Sequence, residues 1–167
     1  TKPATQSMVM PMEWEEYLAE VKKDKFHGFR DRLDLIAEIR GYFQTHEHFN
    51  DMALDVRKGI AGLPSKNKTI KNWAWFGSMK GAGAFAGLIN ASNEAYSLAL
   101  DEIPLVGEIR REHYDRFIAQ YLKAYENGRD GLATATRLLA MKRPDVFLCV
   151  DAQNLKKLAQ DVGFVKP

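Results

Sequence analysis

Apolar residues recur along this chain three and four positions apart and almost nowhere alternate with polar ones, so the pattern predicts helices and no hairpin strands. Residues Thr1 to Met10 are polar and unpatterned and read as a flexible amino-terminal segment, with residues 11–167 forming a single helical domain. Pro11 followed by Glu13, Glu15 and Glu16 starts a first helix that runs to about Lys23, its acids near the positive end of the helix dipole. From Phe29 to about His46, Leu33, Ile36, Ala37, Ile39, Arg40 and Phe43 mark an amphipathic helix against a core. Asn50 or Asp51 caps a third helix carrying Met52, Leu54, Val56 and Ile60, which ends near Gly62 and Pro64. A glycine-rich helix or broken helix runs to Asn90, and Ser92 or Asn93 caps a short one to Leu100. After the turn at 103–107, Glu108 to Tyr125 is a long helix, and Asn127-Gly128-Arg129-Asp130-Gly131 is a tight loop. A helix from Leu132 to about Lys142 stops at Arg143-Pro144, because the residue before proline avoids helical geometry. Val146 to Val150 is a short extended segment, and Asp151 caps a last helix that Gly163 ends. The fold class is all-α.

Composition narrows the picture. At 167 residues the chain can bury a sizeable core without disulfides or metals. Its single cysteine, Cys149, lies in an apolar run and reads as a small buried hydrophobe; one cysteine excludes an internal disulfide and a four-cysteine iron–sulfur cluster. No apolar run approaches the ~20 residues of a membrane helix, and the start lacks a signal-peptide layout, so a cytoplasmic location is expected. Net charge is only +2, and any argument about partners rests on its distribution.

That distribution is uneven. Between Asp55 and Glu94 there is no acidic residue, while Arg57, Lys58, Lys66, Lys68, Lys71 and Lys80 lie there, interleaved with Trp73, Trp75 and Phe76. Such a segment can follow phosphates and stack on bases, or it can be a solvated loop docked by its tryptophans. Arg137, Lys142, Arg143, Lys156 and Lys157 add cations near the carboxyl end.

The helix, five-residue turn and helix around Gly128 and Gly131, followed by an apolar bridge into an aspartate at a helix cap, resembles the helix-hairpin-helix DNA glycosylase superfamily of endonuclease III and adenine glycosylase. Gly131, Thr134 and Ala135 reproduce its Gly-x-x-Thr-Ala pattern, and Asp151 follows Gly131 by 20 positions. The resemblance covers about Tyr114 to Gly163. It implies that Gly128, Arg129, Gly131 and Thr134 meet a DNA backbone, with glycines admitting a phosphate and helix amides facing it. It also implies that Asp151 is the catalytic carboxylate, stabilising a cationic sugar or orienting water while a base is flipped out. Ala133 stands where the lyase lysine of bifunctional members falls, so a glycosylase of this kind is monofunctional. The usual Leu-Pro-Gly-x-Gly is absent, and Asp130 puts a negative charge beside the expected phosphate. The superfamily's fold continues for several helices beyond the aspartate, whereas this sequence stops at Pro167. That implies a piece of a larger fold, or a relative that kept the scaffold without the reaction.

Other motifs carry less. Asp151 followed by Asn154 is also an ordinary helix cap, and the two roles are compatible. The glycine run 77–87 lacks the Gly-Lys-Ser/Thr ending of a phosphate loop and reads as close helix packing or a bend. His46 and His48 face solvent in this reading, His27 and His113 lack partners, and no metal site or cofactor is expected. The sequence therefore predicts a DNA-binding helix-hairpin-helix domain, a monofunctional base-excision enzyme or a non-catalytic reader in a DNA-processing or defence system. The alternative is a non-catalytic helical module in a multisubunit assembly, with Trp73, Trp75 and Phe76 as anchors for a protein partner.

Overall fold

The computed structural model describes residues 13–23, 25, 28–125 and 131–162. Among them the regular elements are all helical: α1 (Trp14–Lys23), α2 (Phe29–Thr45), α3 (Leu54–Ile60), α4 (Gly83–Asn90), α5 (Glu94–Asp101), α6 (Arg111–Tyr121), α7 (Leu132–Lys142) and α8 (Ala152–Val162), with single 3-10 turns at Phe49–Asp51 and Leu122–Ala124. None of the helices is long and apolar enough to cross a membrane.

The core forms where the helical repeat aligns apolar side chains. On α2 the buried residues are Leu35, Ile39 and Phe43, four apart, while Leu33 and Ala37 of the expected stripe are exposed. α5 lies along α6, α2 packs on α7, and α3 on α4. Aromatic rings join the layers: Phe85 lies 5.5 Å from Tyr96, Tyr96 stacks on Tyr121 at 5.1 Å, and Tyr121 on Phe117 at 5.6 Å. α1 contributes no buried residue, and its Trp14 and Tyr17 stack on each other at the surface.

Several boundaries depart from the sequence reading for identifiable reasons. Asn50 and Asp51 do not cap α3, because both side chains are engaged elsewhere: Asp51 accepts from the His48 amide, while Asn50 donates to the Ser92 carbonyl and accepts from Arg57. α3 begins after Ala53 with no side-chain cap. Of the two caps offered for α5, Asn93 is the one used, accepting from the Ala95 amide at 3.0 Å. α6 starts at Arg111 rather than Glu108, since the carbonyls of Pro104 and Gly107 are held by Arg143 and the segment between stays a loop. It then tightens into the 3-10 turn at Leu122–Ala124. The segment after α7 begins as a turn at 144–146, and residues 147–150 form no strand. Their anchor is the Thr136 hydroxyl, which accepts from the Val150 amide at 3.0 Å. The glycine run is not used for close packing: a methyl group added at Gly77, Gly81, Gly83 or Gly87 would meet nothing within 4 Å.

Candidate functional site

Four segments of the chain converge on a cavity of about 480 Å³. Its walls are Arg32 from the first turn of α2, Trp75, Phe76 and Met79 from the loop between α3 and α4, Ala133 at the start of α7, and Cys149, Asp151 and Asn154 at the head of α8. The loop is positioned from below. Ile70 is buried and lies so close to Gly59 that a side chain there would sit 2.6 Å from it, and the Met79 amide donates to the Gly62 carbonyl at 2.8 Å.

Arg137 locks the same loop to the core. Its guanidinium is fully buried and donates to the carbonyls of Ile60 (2.9 Å), Trp73 (2.9 Å), Gly59 (3.3 Å) and Gly77 (3.3 Å). Burial pushes its pKa down to about 10, which leaves it a cation at neutral pH. This residue, counted among the phosphate-binding cations on sequence grounds, turns its charge into the protein and ties the end of α3 to the 73–77 loop.

Trp75 is fixed at the wall by α2. Gly28, the residue before α2, has φ +55°, and a Cβ there would stand 2.6 Å from the indole ring, so glycine permits both the turn and the approach. The Arg32 guanidinium lies 5.5 Å from the Trp75 ring centre and 5.9 Å from that of Phe76. The Arg32 amide donates to the Gly28 carbonyl at 3.0 Å, but among the described residues its side chain donates no hydrogen bond and forms no ion pair, and its Nε is sealed from solvent without a partner.

Asp151 is exposed at the cavity rim and caps α8. Its Oδ1 accepts from the Asn154 amide at 2.8 Å, and Asn154 Oδ1 accepts from the Asp151 amide at 2.8 Å. Asn154 also donates to the Cys149 carbonyl at 3.0 Å, joining the cap to the segment before it. Cys149 is half-buried in the cavity wall rather than in the core, and burial raises its thiol pKa against an opposing pull from Arg137.

The remaining sequence candidates divide. Lys71 lies beside Trp75 in a second hollow of about 360 Å³ lined by residues of their own loop. Lys66 and Lys68 are exposed on the preceding loop, and Trp73 is half-buried with the Lys80 ammonium 5.3 Å from its ring. Thr134 is buried: its hydroxyl donates to the Gly131 carbonyl at 2.7 Å and meets the Tyr121 hydroxyl at 2.6 Å, so it holds the turn and offers nothing outward. Lys142 donates to the Leu100 carbonyl and lies over Phe43, and Arg143 is buried in bonds to Asp145, Pro104 and Gly107. Neither lines the large cavity. Gly131 starts α7 at φ +31°, two residues before the cavity-lining Ala133. Gly128 and Arg129 lie outside the described residues.

Sequence reasoning missed Arg32, whose place in the first turn of α2 looks like any solvated cation, and gave Phe76 no part in a site with Asp151. No signal in the chain pairs residue 32 with residue 151; the pairing is tertiary. His48 also acquires an unforeseen partner, Asp101, at 2.9 Å. Among the described residues no group of three or more histidine, cysteine or carboxylate side chains could hold a metal. Compared with protein-family models, with curated proteins and with solved structures, the chain gives no match.

Proposed function

We propose that this chain binds DNA and receives an unstacked nucleotide in the Asp151 cavity, where Asp151 assists hydrolytic release of the base. The observation that carries the reading is that Asp151 lines the same cavity as Trp75 and Phe76. A flipped base needs flat apolar walls to replace its lost stacking, and cleavage of its glycosidic bond needs a carboxylate near the sugar. In the reaction water adds to the sugar carbon as the carbon–nitrogen bond breaks. The base leaves with the bonding electrons and takes up a proton, and Asp151 stabilises the developing positive charge or accepts the proton of the water. Lys71 beside Trp75, with the exposed Lys66 and Lys68, supplies phosphate contacts along the loop. Gly131, just before α7, supplies a further backbone contact. The protein-module alternative is less well supported, because Trp73, Trp75 and Phe76 all pack against the core and are only partly available to a partner.

The test has two steps. Binding to fluorescent single- and double-stranded DNA is measured across a salt series, with affinity expected to fall linearly on a log–log plot; absence of binding at low salt sinks the proposal. Base release is then compared between the natural chain and Asp151→Asn, which keeps a good helix cap but removes the charge. Release at an undiminished rate in the variant removes Asp151 from the chemistry.

A further inference from the structure

The partly buried Arg32 is used differently from the buried Arg137 and Arg143. Arg137 and Arg143 each place their guanidinium on several carbonyl or carboxylate oxygens. Arg32, in the wall of the 480 Å³ cavity, gives none of its side-chain donors to the described protein, and its guanidinium lies over two aromatic rings. Its Nε is sealed and unpaired, as is that of the buried Arg57, so the donors that Arg32 has left for a ligand are its two terminal nitrogens. A guanidinium fork matches two acceptors lying side by side in one plane. Carboxylates and phosphates offer such a pair, but neither uses the flat apolar walls that Trp75 and Phe76 give the same cavity. A flat ligand with two adjacent acceptors suits both the guanidinium fork and the aromatic walls. Among the bases guanine has this layout, with O6 and N7 as neighbouring acceptors and donors on another edge.

The geometry points to Arg32 as the specificity residue of the cavity, selecting a 6-oxopurine base of the guanine type. This rests on the reading that the cavity admits an unstacked base. Two titrations of the full chain separate the claims. In the first, single strands identical except for one central guanine, adenine, cytosine or thymine are bound. In the second, guanosine, adenosine, cytidine, thymidine and inorganic phosphate are added by calorimetry. The expected result is a preference of about tenfold for guanine, lost in Arg32→Gln and largely lost in Arg32→Lys, which keeps the charge but not the fork. Both variants are first shown to keep the natural unfolding transition.

DNA binding that ignores the central base overturns the selectivity and leaves the nucleic-acid reading standing. Guanosine binding without DNA binding does the reverse. Preference for cytosine, competition by inorganic phosphate, or a guanine preference that survives Arg32→Gln each overturns the role given to Arg32.

Discussion

Replacing Arg137 by methionine distinguishes an internal tie from a phosphate contact. The side chain is fully buried, and its guanidinium serves four carbonyls on three stretches of chain: Gly59 and Ile60, Trp73, and Gly77. Methionine has similar length and fills most of the space, so the loss is chiefly polar. Each buried carbonyl left without a donor costs about 1–3 kcal/mol. The two bonds at 3.3 Å are the weaker pair, and relief from burying a charge returns part of the loss. A net destabilisation of about 3 kcal/mol follows from that balance. With a urea slope of about 2 kcal/mol/M, the unfolding midpoint should drop by about 1.5 M at unchanged slope. Tryptophan fluorescence reads the transition directly, since Trp73 and Trp75 stand on the loop that Arg137 holds. Arg137→Lys should lose most of the same stability, because one ammonium cannot span the three segments. A midpoint shift below about 0.3 M, accompanied by a shallower salt dependence of DNA binding, would refute the argument and return Arg137 to the phosphate-binding surface.

Gly131→Val forces a β-branched residue into φ +31° and puts its Cβ 2.8 Å from Thr134 Oγ1 and 3.0 Å from Tyr121 Oη, so a loss of at least about 2 kcal/mol in a thermal or urea melt is expected; a stable variant would show that the turn before α7 is not pinned by these hydroxyls. His48 has its pKa raised above the ordinary histidine value, first by the hydrogen bond to Asp101 and then by that residue's charge. Its contribution is therefore fully present below the unfolded histidine value and is lost as pH rises through the raised one. An NMR titration should find the His48 ring titrating above 6.5, and in Asp101→Asn it should fall back toward that value.

The sequence by itself determined the helices and their order. The three-and-four spacing of Leu35, Ile39 and Phe43, the Asn93 cap, the proline after Arg143 and the Asp151–Asn154 box are local signals, each satisfied within a few residues. That locality is why α2, α5, α7 and α8 sit close to where the pattern puts them. Charge was misjudged where burial decides its use. Arg137, Lys142 and Arg143 look like a cationic surface in the sequence, yet carbonyls brought from 36 or more residues away make them internal fasteners. Lone side chains cannot announce such partners, because hydrogen bonds to backbone carbonyls leave no trace in residue type. The cavity was illegible for the same reason. Asp151 and the Trp73–Phe76 cluster could each be singled out from the chain, but only the packing of α2, α7 and α8 around one loop sets Arg32, Trp75, Phe76 and Asp151 about a common space.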